Sequence, residues 1–394
     1  MFQRGLNVLR MEVYQTDHQK TPKPLMQLSL HHLLTQFGSL LQQRLFPRVE
    51  EELGPLSKKH QHLITVLALA CIEPHLDAPH SGPGRPSHDR VALARAFVAK
   101  AIFDLPTTGL LIQLLESDSS LRRICGWESS SGVPDKSVFS RAFAAFSEAE
   151  LPQRIHEALV LQTQKERLVG HISRDATAVL VRERVPKSAA PSAEVAKAAP
   201  PRRRKRGEPK PPEKMTRIER QQTMTLEEML AELPKQCAVG AKTNSQGRKE
   251  TWRGYKLHLD VADGQIPVSA VLTSASLHDS QVAIPLSRMT ARRLTNLYDL
   301  MDSAYDCAAL RNTSIELGHV PIIERLERGK GLVPMAPHEA QRYKGRTASE
   351  RVNARLKDEF GGRFIRVRGH AKVMAHLMFG LIALTVDQIL RLTG

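Results

Sequence analysis

The sequence predicts an α/β protein, a mixed sheet with flanking helices preceded by an all-α N-terminal domain. Three observations predict it. Residues 1 to about 165 carry helical spacing, strand signals begin near residue 170, and strands then alternate with helices until a long apolar C-terminal segment. In the N-terminal part, Pro86-Ser87 predicts the cap of a helix whose apolar positions Val91, Ala94, Phe97, Val98, Ala101 and Ile102 follow the helical period. Phe139, Phe143 and Phe146 form a later core stripe, with Arg141 on the reverse face. The succession LLIQLLES, SLRRICGW and SVFSRAFAAFSE is compatible with a helix-turn-helix.

Residues His171–Val181 alternate loosely and are rich in β formers. Tyr255–Val261 and Ile266–Leu272 follow as two strands joined by Asp263-Gly264, a strong hairpin signal. Next come a helix over Ser280–Leu294 opened by Asp279, and a strand over Leu297–Met301. A helix around Cys307–Leu317 and a strand over Val320–Ile323 complete the alternation. The apolar stretch Val373–Leu392 predicts a C-terminal helix packed on this domain. Three segments result: an N-terminal extension over 1–54, a helical domain over 55–165 and an α/β domain over 166–394. Between the first two strands, residues 185–216 read as a disordered basic loop. Its stretch 187–214 holds nine lysines and arginines against three glutamates, too polar to order itself. The run Arg202, Arg203, Arg204, Lys205 and Arg206 is expected to touch phosphate.

The chain has 394 residues and a formal charge of +16, which favours a polyanionic partner. Its longest apolar runs, Leu63–Ile72 and Met378–Val386, are far short of a membrane span, and the N-terminus lacks the apolar core of a signal peptide. An intracellular protein that meets nucleic acid is expected. The cysteines Cys71, Cys125, Cys237 and Cys307 are scattered, without zinc spacing or a disulfide framework. They should be reduced and mostly buried. His60 and His62 read as ordinary surface residues.

The most informative pattern is Tyr343, Arg346, Glu350 and Lys357. On one helix, with Tyr343 at zero, the other three fall at roughly 300°, 340° and 320°. Ala348, Val352, Leu356 and Phe360 fall on the opposite side as an apolar stripe. Such a helix buries its back and offers one acid, two cations and a phenol. A solvated face with charge pairs is the plainer alternative. Phosphodiester chemistry calls for carboxylates converging from separate rigid elements, because Mg²⁺ prefers hard oxygen ligands. Asp175 within the first strand, Asp302 at the end of the fourth and Glu350 on this helix form such a set. Asp279 and Asp306 fit helix caps better, and Glu324 lacks the cationic neighbours of Glu350.

The segments SRDATAV, GYKLHLDV, SASLHDSQVA, MDSAYD and Y-R-E-K resemble, in order, the motifs of bacterial insertion-sequence DDE transposases with the Y-R-E-K signature. The stretch from GRPSHDRVALARAFVAKAIFDLP to FSRAFAAF resembles their helical N-terminal domain, so the likeness covers about residues 55–390. It implies a ribonuclease-H-like core in which Asp175, Asp302 and Glu350 are catalytic and ligand two Mg²⁺ ions, with Mn²⁺ able to substitute. Tyr343, Arg346 and Lys357 would contact DNA phosphate beside the cleaved bond. Residues 55–165 would bind the transposon ends. The implied partners are double-stranded end and target DNA and a second copy of the chain, in a bacterial cytoplasm beside the nucleoid. Two departures stand out. The second motif reads Asp-Ser-Ala-Tyr-Asp where a glycine often precedes the tyrosine. Only 48 positions separate Asp302 from Glu350, too few for the large β insertion associated with hairpin formation on transposon ends. A nuclease without strand transfer and a catalytically silent DNA-binding regulator are the rival functions.

Overall fold

Strand β1 (Leu168–Leu180) is the axis of the molecule. The computed structural model describes residues 30–77, 88–186, 215–243, 246–327 and 331–393. On one side β1 pairs antiparallel with β3 (Lys249–Ala262), and β3 pairs antiparallel with β4 (Ile266–Ser274). On the other side β1 runs parallel to β5 (Thr295–Met301), and β5 runs parallel to β6 (Val320–Ile323). The core order is therefore β4-β3-β1-β5-β6, a hairpin followed by three parallel strands. Strand β2 (Ala238–Thr243), which the sequence does not announce, pairs with the first half of β3. At Gly254 a Cβ would lie 2.0 Å from the carbonyl oxygen of Val179, so only glycine lets β3 approach β1 there. The expected hairpin turn follows β3, with Gly264 at φ 77° and Gln265 at φ 62°.

The N-terminal helices are α1 (Leu30–Leu40) and α2 (Phe46–Leu53), joined by one π turn, then α3 (Lys58–Ala70), α4 (Arg90–Ile102), α5 (Thr108–Ser117), α6 (Ser119–Cys125), α7 (Lys136–Glu148) and α8 (Leu151–Gln164). Their starts follow local capping: Ser57, Thr107 and Asp118 each accept a backbone N–H of the following turn. Pro86-Ser87 lies outside the described residues; α4 is capped by Asp89, which accepts from Val91 N and Ala92 N. Phe139, Phe143 and Phe146 of α7 are buried as expected, and Arg141 is exposed.

Short helices α9 (Arg217–Gln221) and α10 (Leu226–Glu232) precede β2; α11 (Ser280–Ala291) and α12 (Ala308–Glu316) flank β5. α13 (Pro337–Tyr343) leads through a tightened turn into α14 (Thr347–Asp358), and α15 (His370–Thr393) ends the chain. α15 packs on β4 and α14, and also on α3, α4, α7 and α8. One hydrophobic core consequently runs from the N-terminal helices into the sheet. α15 is apolar enough to cross a membrane by length and composition, but 83% of its apolar window is buried in the fold.

Several expectations need correction. The helix carrying Tyr343 to Lys357 is not one continuous α-helix, because Lys344–Arg346 form a 3₁₀ turn. Asp279 stands at the start of α11 without capping it; its carboxylate accepts from Lys256 Nζ at 2.8 Å. Asp306 does not cap α12 either, since Cys307 holds that position and Asp306 pairs with Arg311. His60 is buried, with its imidazole 3.0 Å from Asp118, and His62 is half-buried against Phe360 and Asp387. All four cysteines are free; Cys125 and Cys237 are buried and the other two half-buried. The run Arg202–Arg206 lies outside the described residues.

Candidate active site

Side chains 173, 175 and 177 of β1 face α14, and each meets it. Ser173 donates to the carbonyl of Arg346 at 2.7 Å and bonds to the Ser349 hydroxyl at 2.8 Å. The Asn353 amide donates to Asp175 at 3.1 Å, and Lys357 Nζ donates to the Thr177 hydroxyl at 2.5 Å. The ladder has a geometric cause. Two residues of strand advance about 6.6 Å and four of helix about 6 Å, so residues 173, 175 and 177 keep step with 349, 353 and 357. Ala348, Val352 and Leu356 are buried on the other side of α14, as its phase predicts, and Phe360 just past its end is buried too.

The 3₁₀ turn before α14 helps the phase. Residues three apart eclipse in a 3₁₀ helix, so Tyr343 and Arg346 stack, with the guanidinium 5.9 Å from the ring centroid. Gly345 is what lets this turn lie on β1, because a Cβ there would sit 2.7 Å from His171 Nε2.

Strand register supplies the other acids. β1 and β5 align Ser173 with Leu300, so two residues further on Asp175 stands opposite Asp302, on adjacent strands about 4.8 Å apart. Asp302 accepts the N–H of Ala304 at 2.9 Å, which fixes it at the strand end. β5 and β6 align Met301 with Ile323, so Glu324 stands beside Asp302 in the same row. The sequence gives no reason to favour Glu324; parallel pairing brings it in. Its carboxylate raises the pKa of both Asp302 and the Tyr343 phenol, though no hydrogen bond of ordinary geometry joins it to that hydroxyl.

Arg346 is the hub. Its Nη2 donates to Glu350 at 2.8 Å, and its Nη1 lies 3.7 Å from Asp175 without a hydrogen-bond partner. Burial works against its charge, but Tyr343, Asp175, Glu350 and Asp302 more than offset this and raise its pKa. Asp175 is pushed up to about 6, first by burial and then by Asp302 and Glu350, with Arg346 opposing. Burial likewise raises Asp302, with Asp279 and Glu324 adding to it. Lys357 is lowered by burial and by Lys242 and Arg363. Glu350 is half exposed, at 52%, so its carboxylate is free to change rotamer.

The donor set suits a hard divalent cation, with carboxylates from two adjacent strands and one helix. Among the described residues, no three acidic, histidine or cysteine side chains are gathered at ligand distance. The Arg346 guanidinium stands among the acids and supplies the positive charge. Tyr343, Arg346, Glu350 and Lys357 thus share one side with Asp175 and Asp302. Asn353 is the residue the sequence overlooked. At roughly 280° on the same helical wheel it adjoins Arg346, but an uncharged amide draws no attention in a charge pattern.

On the opposite face of β1, Arg174 forms a buried bidentate pair with Asp260, both bonds 2.8 Å. Thr290 of α11 donates to the same carboxylate at 2.7 Å. This network ties β1, β3 and α11 together directly behind Asp175.

A mixed sheet of this order, with helices on both faces and acids side by side on adjacent parallel strands, defines a ribonuclease-H-like core. Sequence comparison agrees: the Transposase DDE domain family matches residues 221–386, and the Transposase domain (DUF772) family matches residues 49–145. The chain belongs to the DDE transposases typical of bacterial insertion sequences. Asp302, Glu324 and Glu350 lie inside the first match, whereas Asp175 lies between the two. No curated protein and no solved structure matches the chain. Membership implies DNA as substrate, and the family generally uses divalent metal ions.

Proposed function

We propose that this transposase binds the terminal inverted repeats of its own element, hydrolyses a phosphodiester to free a 3′-OH, and directs that hydroxyl at target DNA. The observation that carries the reading is the ladder from β1 to α14. It presents Arg346, Glu350 and Lys357 over Asp175 and beside Asp302. Asp175, Asp302 and Glu350 would hold two Mg²⁺ ions, for which Mn²⁺ would substitute. When bound, these ions supply Lewis-acid stabilisation of the attacking and leaving oxygens.

The chain's own residues do the rest. Arg346 binds a phosphate oxygen pair with its planar fork, and Lys357 acts as a point charge about three turns further along. Asn353 fixes the rotamer of Asp175, leaving its other carboxylate oxygen toward the site. Tyr343 shields Arg346 from solvent and holds its plane. Residues 55–165 bind the element's ends, residues 166–394 carry the chemistry, and two copies pair two ends. The protein works in the bacterial cytoplasm at the nucleoid.

The test incubates the full chain with candidate end DNA and Mg²⁺ and resolves cleaved and joined strands. Glu350→Ala, checked for folding, should retain DNA binding and lose at least about 10²-fold in cleavage, the scale for removing one preorganised stabiliser. Near-normal cleavage by this variant would sink the site assignment. Cleavage without joining would make the protein a nuclease. Binding without cleavage by the parent chain would make it a regulator.

A further inference from the structure

Away from the acids, a cavity of about 430 Å³ opens between α4, α7, the segment 366–368 and the start of α15. Its polar lining is one-signed. Lys136, Arg366, Arg368 and Lys372 are exposed around its mouth, and Lys100 reaches it from inside α4 with only 8% of its surface exposed. No carboxylate lines the cavity, and no described carboxylate forms an ion pair with any of these five cations. The nearest counter-charge to Lys100 is Asp104, which acts on it only at a distance. His376, also in the lining, is already committed, with its Nε2 bonded to the Gly361 carbonyl at 2.9 Å. The floor is apolar and aromatic, built from Phe97, Phe143 and Phe379 packed on one another.

A lysine whose stem is buried and whose ammonium opens on a cavity with no paired acid favours an anion there, which would complete its site. Placement says what that is. The parallel bridge Val181–Ile365 sets Arg366 and Arg368 beside Arg182 and Arg184, which follow β1 directly. Arg182, Arg184 and Arg368 line an adjoining recess. Glu183, the acid in that recess, accepts from the Tyr255 hydroxyl at 3.1 Å and from Gly369 N at 2.8 Å. Cations therefore continue from Lys357 over Thr177 to the cavity. Five residues of β1 cover about 16 Å, the rise of about five stacked base pairs. A duplex cannot enter a space of this volume, whereas one nucleotide is of the right size for it.

We propose that this cavity takes one unpaired nucleotide of the bound DNA, with its phosphate on Lys100, Arg368 and Lys372 and its base on the phenylalanine floor. The inference rests on the reading that the chain acts on DNA. Its chemistry combines a cationic rim for backbone with an aromatic surface for a base, which recognises single strands without reading sequence.

The test uses the full chain and fluorescence anisotropy at fixed salt. The probes are a blunt duplex, the same duplex with a one- to three-nucleotide overhang, and dAMP as competitor. Stacking of one base predicts at least about 5-fold tighter binding of an overhang duplex than of the blunt one. Lys100→Met keeps the aliphatic stem and should abolish that preference while blunt-duplex binding holds within about twofold. Arg368→Ala with Lys372→Ala, both at exposed positions, tests the same loss where Lys100→Met fails to fold. Millimolar dAMP should erase the preference in the parent chain. Equal binding of blunt and overhang duplexes by the parent chain overturns the proposal and leaves the DNA reading standing. Binding of dAMP without binding of any DNA assigns the cavity to a free nucleotide and overturns it too. Binding of neither removes the cavity proposal and the transposase reading together.

Discussion

Asp175→Asn should make the metal-free protein more stable and inactive. The carboxylate is 20% exposed and sits among Asp302 and Glu350, which together with burial push its pKa from 3.8 to about 6. That gap corresponds to about 3 kcal/mol held against the ionised form. The sign follows from proton counting. Between pH 3.8 and 6 the folded state holds the proton that the unfolded chain has released, so stability falls as pH rises. The penalty is complete above pH 6 and absent below about pH 4. Asn removes the charge while keeping an acceptor for Asn353. In chelator at pH 7.5 the variant should therefore gain up to about 3 kcal/mol in urea denaturation, and the gain should vanish near pH 4. Millimolar Mg²⁺ should stabilise the parent chain, by about 2.7 kcal/mol at a hundredfold excess over Kd, and leave the variant unmoved. A variant no more stable than its parent at pH 7.5 in chelator would refute the electrostatic account.

Three further outcomes are expected. His156 and His258 are fully buried and His376 is half-buried, and burial first of all lowers them to about 3, 4 and 3. Their unfolded forms take up protons below about pH 6.5. Stability should thus fall on acidification to about pH 4, at about 1.4 kcal/mol per pH unit for each, partly offset by Asp175; a flat urea midpoint from pH 7 to 4.5 would contradict this. Asp260→Ala strands the buried Arg174 guanidinium and should cost about 3–5 kcal/mol, while the double change with Arg174→Met should recover much of it; equal midpoints for parent and single variant would show the pair is not structural. Replacing Arg202–Arg206 with Ser should flatten the slope of log K against log salt by up to about 4.5, leaving discrimination between end and random DNA intact. An unchanged slope would make that loop a spacer.

What could be read from the sequence was what depends on short spacing. The phase of Arg346, Glu350 and Lys357 needs only the helical period, and the hairpin at Asp263-Gly264 only two turn residues. What could not be read depends on partners far along the chain. Glu324 enters through the register of β6 on β5, which no local pattern encodes. His60 has the local look of a surface residue, and its partner Asp118 is 58 positions away. Asp279 has the local look of a cap, yet Lys256 across the sheet takes its carboxylate. Strand β2 contains Gly240 and lacks strong alternation, so its pairing with β3 is what makes it a strand.

The position of Arg346 joins the stability of this protein to its proposed work. Without a cation, Asp175, Asp302 and Glu350 repel one another, and the guanidinium between them lowers that repulsion. Its two arms hold unequally. The bond to Glu350 is an i,i+4 contact on a half-exposed carboxylate, a type worth about 0.3–0.5 kcal/mol. The arm toward Asp175 stops at 3.7 Å with no hydrogen bond. Little is therefore lost when the fork turns to a phosphate oxygen pair, because a charge-assisted bidentate contact is stronger than either. The acids it leaves must then be neutralised by something else, which on the proposed reading is the divalent metal. On that reading one residue couples arrival of the DNA to the need for metal. It would do so because the arginine's pairings with the acids are weak enough to exchange and near enough to offset their repulsion before metal binds.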